Sequence, residues 1–125
     1  MVAWRLAIDF GTSNSAAARR SGDGVDAISL SPQGNLIPSA VFAEGSEFVV
    51  GHAALNQAEA DPEGFLPEPK RAIGSDSVRL GGQTREVSAV IGAVLKNIVE
   101  RASRHYDGRP PADVVLTHPE AWDRQ

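Results

Sequence analysis

The first residues in the chain that could carry out chemistry lie in the segment Leu6–Ser15. This segment is an apolar run of strand length that contains Asp9 and reaches a turn residue at Gly11. Four polar residues follow the glycine: Thr12, Ser13, Asn14 and Ser15. Glycine adopts positive φ readily, so the chain can reverse tightly at Gly11 and expose successive backbone N–H groups, which bind phosphate oxygens. Asp9, at the end of the strand, could hold Mg²⁺ through the waters of that ion.

An ordinary β-hairpin with a polar turn facing water would have the same sequence, because the D-x-G-T-S pattern is short. The segment alone therefore leaves both interpretations open. The chain contains neither the G-x-G-x-x-G pattern of dinucleotide-binding folds nor the G-x-x-x-x-G-K-[ST] pattern of P-loops.

The segments around this turn predict a sheet. Residues 16–20 can return as a second strand, and a Gly-containing turn at 21–24 leads to a third strand over 25–30. Three strands joined by tight turns form an antiparallel meander. Residues 40–43 and 48–51 predict two further extended segments that form a hairpin.

Two helices and a last strand follow. The composition of His52 to Ala60 favours a helix that ends at Asp61-Pro62. A polar segment over 75–86 predicts a turn at Gly81-Gly82. The clearest helix runs from Ser88, the expected N-cap, to about Tyr106. Its apolar residues recur at helical spacing: Val90, Ile91, Val94, Leu95, Ile98, Val99 and Ala102.

Residues 112–117 are almost continuously apolar, which is typical of a parallel strand covered on both faces. The sequence therefore predicts a mixed α/β fold, with an antiparallel meander followed by a helix and a parallel strand. Little sequence follows to cover that strand, so we expect the chain to be a fragment of a longer protein. We also expect the fragment to be marginally stable or to self-associate through an uncovered sheet edge.

Composition narrows the classes of function. The chain has 125 residues, the size of one domain, with a net charge of −4 and no cysteine. The negative charge argues against nucleic acid as a partner. No apolar run is long enough to span a membrane, and the absence of cysteine fits a cytoplasmic location.

Five motifs, in order along the chain, resemble the N-terminal part of the nucleotide-binding domain of the Hsp70 (DnaK-like) chaperones, within the actin-like ATPase superfamily. The first is Leu6–Ser15, which resembles the first phosphate loop of that family. The others are similar to later landmarks: Asn35–Val41, Val50–Ala54, Lys70–Gly74 and Val114–Pro119. The resemblance implies an actin-like, ribonuclease H-like lobe over residues 1–125, called lobe I in that family.

The resemblance also implies roles for individual residues. Asp9 would hold the hydration shell of Mg²⁺, and Gly11, Thr12, Ser13 and Asn14 would contact the phosphates of ATP or ADP. Lys70 would reach the γ-phosphate and help to position the attacking water, as a catalytic residue together with Asp9. Pro119 would be a hinge residue. These roles agree with phosphoryl transfer, which depends on positioning and charge neutralisation.

The same resemblance predicts a stress-response chaperone that hydrolyses ATP, with client polypeptides or co-chaperones as partners. The chain departs from the family pattern in having a shorter stretch around 75–87, which indicates a reduced outer subdomain, and in having His118 before Pro119. A sugar kinase-like phosphotransferase of the same superfamily, or a nucleotide-independent scaffold, is the alternative. We expect the isolated fragment to have no useful ATPase activity, because half of a cleft cannot enclose the phosphates.

Overall fold

A computed structural model describes residues 3–21, 24–32 and 34–117. Its ten strands are β1 (Arg5–Phe10), β2 (Asn14–Ser21), β3 (Gly24–Ile28), β4 (Leu36–Pro38), β5 (Val41–Glu44), β6 (Glu47–Val50), β7 (Phe65–Leu66), β8 (Ser77–Leu80), β9 (Gln83–Glu86) and β10 (Asp113–Thr117). Its two α-helices are α1 (His52–Ala60) and α2 (Val87–Ser103).

The main sheet has the strand order β10-β1-β2-β3, and β4 pairs with β2 beside it. Strands β1, β2 and β3 are antiparallel neighbours, which confirms the predicted meander. β10 lies parallel to β1, with Arg5 opposite Asp113 and Asp9 opposite Thr117, which confirms the predicted parallel strand. The mixed α/β class is therefore correct. No strand was predicted from the sequence at the position of β4.

The two faces of the main sheet differ in side-chain size. Leu6, Ile8 and Phe10 of β1 are buried in the core, to which α2 contributes Val94 and Ile98. Side chains alternate between faces along a strand, so Ala7 and Asp9 lie on the opposite face. The residues of β2 and β3 that pair beside them on that face are small: Ala16, Ala18 and Ala27. Asp9 thus projects from a face formed mainly by methyl groups.

The position of α2 agrees with the prediction, but its N-cap residue does not. α2 begins at Val87, one residue before Ser88, and its N-cap residue is Glu86, with no side-chain cap. The Val87 N–H instead donates to the backbone oxygen of Asp76 at 3.0 Å. Ser88 was therefore the wrong N-cap, because a carbonyl distant in sequence satisfies the first helical donor.

The C-terminal end of α2 agrees with its predicted end near Tyr106. A short 3₁₀ helix continues over Arg104–Tyr106, and Asp107 then has a left-handed φ of 56°. The Gly108 N–H donates to the Ser103 oxygen at 2.9 Å and closes the helix end.

The smaller elements follow the predicted boundaries closely. α1 runs over His52–Ala60, as expected. β5 lies between β6 and β7 in a second sheet. The segment over 75–86 forms the β8–β9 hairpin, and its turn is at Gly81 and Gly82, whose φ values are 61° and 78°. These positive φ values explain why two glycines stand there.

β10 is less covered than its apolar sequence predicts. Val114, Val115 and Leu116 are 44%, 37% and 55% exposed. In the described part of the chain β10 pairs only with β1, so it is an edge strand. No helix among the described residues is long and apolar enough to cross a membrane.

Candidate functional site

The loop between β1 and β2 is a tight hairpin turn. The Gly11 N–H donates to the Asn14 oxygen at 3.0 Å and closes the turn. A Cβ atom at Gly11 would lie 2.4 Å from that same oxygen. Gly11 is not among the described glycines with positive φ, so the reason given from the sequence was wrong. Glycine is required here because two stretches of backbone approach closely.

Two backbone N–H groups of the loop are unbonded in the part of the chain that the structure describes. The N–H groups of Thr12 and Ser13 donate no hydrogen bond to any residue in the described ranges. Thr12 is half-buried, and Ser13 and Asn14 are exposed. Free N–H groups in a tight turn are suitable for binding an anion. The predicted phosphate-contacting residues therefore lie together, with donors available.

A buried pair of serines is hydrogen-bonded to the backbone of the loop. Ser15 Oγ and Ser39 Oγ are 2.8 Å apart, and both residues are fully buried. Ser39 Oγ also donates to the Gly11 oxygen at 2.9 Å, and the Ser39 N–H donates to the Ser13 oxygen at 2.9 Å. No role for Ser39 was predicted from the sequence, because its partners are distant in the sequence.

Asp9 is the next to last residue of β1 and is half-buried. Its Oδ1 atom is buried and has no hydrogen-bond partner among the described residues. Burying a carboxylate oxygen without a hydrogen-bond partner is unfavourable, so this oxygen is suited to accept hydrogen bonds from a ligand. A hydrated divalent cation is a suitable ligand, because Mg²⁺ keeps most of its waters and binds few carboxylates.

Lys70 lies in the short 3₁₀ helix Pro69–Ala72, whose first residue, Pro69, is buried. Its Nζ atom is buried. Burial lowers the pKa of Lys70, and the negative charge of Asp9 opposes this by raising it. Lys70 therefore interacts electrostatically with Asp9 in the fold, although the two residues are far apart in the sequence.

Glu68, just before the 3₁₀ helix that contains Lys70, connects this helix to the β1–β2 loop. Its role was not predicted from the sequence. Ser13 Oγ donates to Glu68 Oε2 at 3.2 Å, and Arg71 Nε pairs with Glu68 Oε1. These contacts hold the pKa of Glu68 below its ordinary value, with Arg71 the larger cause and Ser13 the second. The short spacing from Glu68 to Arg71 was a readable signal for the ion pair, but the contact with Ser13 was not.

The remaining predicted site residue, Pro119, lies outside the described residues, and so does His118. The other predicted residues lie in one region of the fold: the loop over 11–14, Asp9 two residues before it, and Lys70, whose ammonium interacts electrostatically with the Asp9 carboxylate. An anion at the loop and a hydrated cation at Asp9 both fit this arrangement.

A mixed sheet with this hairpin loop at the end of its first strand, followed by a helix and a parallel strand, is the fold class of an actin-like ATPase lobe. A family model described as "Hsp70 protein" matches residues 5–102 of the chain. The chain therefore belongs to the Hsp70 family.

Several archaeal relatives, each called "Chaperone protein DnaK", support this assignment. The protein of Cenarchaeum symbiosum is 32% identical over 94% of this chain, and that of Methanothermobacter thermautotrophicus is 33% identical over 94%. The protein of Picrophilus torridus is 34% identical over 91%. The chain covers only 19%, 21% and 19% of these three relatives, about a fifth of their length.

Proposed function

We propose that this chain forms the N-terminal lobe of an Hsp70-type chaperone ATPase that binds Mg-ATP between two lobes and uses its hydrolysis to change conformation. The observation that carries the proposal is the convergence of three groups. The unbonded N–H groups of the loop, the buried carboxylate oxygen of Asp9 and the buried ammonium of Lys70 lie at one site. Family membership supports the same conclusion.

The loop is suited to bind the phosphates of ATP or ADP. The N–H groups of Thr12 and Ser13 would donate to phosphate oxygens, and the side chains of Thr12 and Asn14 can add further hydrogen bonds. Gly11 allows the close backbone approach that keeps the loop tight. When bound, ATP supplies the transferable phosphoryl group and Mg²⁺ neutralises part of its charge.

Asp9 and Lys70 would orient the reacting groups. The Asp9 carboxylate would accept hydrogen bonds from the waters around Mg²⁺ and so fix the position of the metal. The Lys70 ammonium would place a positive point charge beside the terminal phosphate and help to position the attacking water. Partial burial strengthens the field of that charge, because the local dielectric constant is lower than that of water.

Other parts of the proposal concern the whole protein. We propose a cytoplasmic chaperone of the stress-response type, with client polypeptides and co-chaperones as its partners, and with a hinge at Pro119. The β8–β9 hairpin would represent a reduced outer subdomain around 75–87. Family membership supports the chaperone role, its partners and the hinge, whereas the short stretch around 75–87 is the reason for proposing a reduced outer subdomain. The chain itself covers about a fifth of the length of its relatives.

The test uses the full-length protein with Lys70→Ala. We expect the rate of ATP hydrolysis to fall about 100- to 1,000-fold, as when one preorganised charge-stabilising donor is removed from an active site. Nucleotide affinity should change little, because the loop donors remain. The matched control is Lys96→Ala, which removes an exposed lysine on α2 and should leave hydrolysis unchanged. Hydrolysis at the wild-type rate in Lys70→Ala would show that the assigned role is wrong.

A further inference from the structure

We infer that Ser39 is the positioning residue that fixes the direction of the Thr12 N–H, one of the two proposed phosphate donors in the β1–β2 loop. This inference rests on the proposed function, because it assigns a structural cause to the phosphate affinity of that loop. Ser39 follows β4, and it makes three hydrogen bonds to the loop and to β2.

The direction of the bonds between the two serine side chains follows from their chemistry. The Gly11 oxygen can only accept, so the single hydroxyl hydrogen of Ser39 is donated to Gly11. The 2.8 Å contact between the two serine hydroxyls then requires Ser15 to donate to Ser39. The result is a relay in which Ser15 donates to Ser39 and Ser39 donates to Gly11. Both hydroxyl hydrogens of this buried pair are therefore donated.

The bond to Gly11 determines where the Thr12 N–H points. In a planar trans peptide the C=O and the following N–H lie on opposite sides. Because the Gly11 C=O is held toward Ser39, the Thr12 N–H must point away from Ser39.

The same argument applies to the next fixed peptide unit. The Ser13 C=O accepts from the Ser39 N–H, so the Asn14 N–H also points away from Ser39. One residue therefore orients two peptide units of the loop. The side chain of Ser39 fixes the first unit and its backbone fixes the second.

Removing the Ser39 hydroxyl should release only the first unit. In Ser39→Ala the Gly11–Thr12 peptide loses its anchor and can rotate, which would turn the Thr12 N–H away from a bound phosphate. The bond from the Ser39 backbone to Ser13 does not depend on the side chain and should persist. We therefore expect Ser39→Ala to weaken nucleotide binding without abolishing it.

The experiment compares three variants of the full-length protein by titration with Mg-ADP, at a temperature where each is fully folded. Ser39→Ala should bind about 10-fold more weakly, the effect of one hydrogen bond. Ser15→Ala removes the serine–serine bond but keeps the bond from Ser39 to Gly11, so its loss should be below about 3-fold. Ser39→Thr keeps the hydroxyl and adds a buried methyl group. It should melt at a lower temperature and yet bind more tightly than Ser39→Ala.

A purely structural role for Ser39 would give a different pattern. The affinities of Ser39→Ala and Ser15→Ala would then be equal, or the affinity of Ser39→Thr would fall in proportion to its stability. Either result would overturn the inference.

A second measurement separates this inference from the proposed function. In nucleotide-free protein labelled with ¹⁵N-threonine, the Thr12 amide resonance should shift in Ser39→Ala and stay near its wild-type position in Ser15→Ala. Wild-type protein that binds no Mg-ADP would overturn the proposed function. The Thr12 resonance would still decide whether Ser39 orients the loop, and an unshifted resonance in Ser39→Ala would refute it.

Discussion

Substitution of Gly11 by alanine tests the geometry of the loop most sharply. The added Cβ would lie 2.4 Å from the Asn14 oxygen, whereas ordinary contact begins at 3.4 Å, so the two backbone segments must separate by about 1 Å. This movement would stretch the 3.0 Å bond from Gly11 N–H to the Asn14 oxygen beyond hydrogen-bonding distance. It would also disturb the bond from Ser39 to the Gly11 oxygen. Two weakened hydrogen bonds correspond to a loss of about 2 kcal/mol in the free energy of unfolding.

Gly92→Ala is the matched control, because Gly92 lies inside α2 and a Cβ atom there would meet nothing within 4 Å. Alanine in a helix interior is more favourable than glycine by about 0.5–1 kcal/mol, so this variant should be more stable than the wild type. The free energy of unfolding of both variants is measured by urea denaturation monitored by circular dichroism. With a typical urea slope of about 2 kcal/mol per molar, the midpoint of Gly11→Ala should fall by roughly 1 M. A Gly11→Ala midpoint equal to that of Gly92→Ala would refute the close approach in the loop.

Two further perturbations have expected outcomes. The pKa of Glu68 lies below its ordinary value of 4.5, so this carboxylate contributes stability that is present above that value and is lost as the pH falls through the folded-state pKa. Glu68→Gln should therefore lower the urea midpoint at pH 7 and have a smaller effect at a pH below the folded-state pKa of Glu68. An equal effect at both would contradict the contacts with Arg71 and Ser13. Leu116→Lys places a charge on the exposed edge strand β10 and should reduce self-association of the 125-residue chain, as measured by light scattering. A wild-type 125-residue chain that is monomeric at all concentrations would contradict that expectation.

Much of the fold could be predicted because its signals are local. The apolar run of β1, the glycine turn after it and the helix formers of α1 each specify an element without reference to the rest of the chain. The predicted bounds of α1 agree with the structure, His52–Ala60. That β10 is a parallel strand was predicted from the order of helix and strand together with the continuous apolar sequence, whereas its pairing with β1 was not predicted.

The features that were missed depend on contacts between distant residues. Ser88 has the side chain of an N-cap, but the backbone oxygen of Asp76 already accepts the first helical N–H. Ser39 acquires its role from Gly11 and Ser15, and no pattern near Ser39 shows that they are adjacent. Local sequence patterns do not show hydrogen bonds between residues that become neighbours only when the chain folds.

The candidate site was predicted in two different ways. Asp9 and the loop over 11–14 were indicated by residue types and spacing, although the reason given for Gly11 was wrong. Lys70 was indicated only by the resemblance to the Hsp70 family. The structure places its buried ammonium in the field of Asp9, which is an independent reason to include it in the site.

Isothermal titration of Mg-ATP into the full-length protein and into the 125-residue chain tests whether the nucleotide binds in a cleft between two lobes. We expect the full-length protein to bind one Mg-ATP and the chain alone to bind it far more weakly, because one lobe supplies only part of the cleft. Asp9→Ala in the full-length protein should weaken binding in the presence of Mg²⁺ and have little effect when Mg²⁺ is chelated. Absence of binding by the wild-type full-length protein would contradict the account and would favour a scaffold that keeps the fold without using nucleotide.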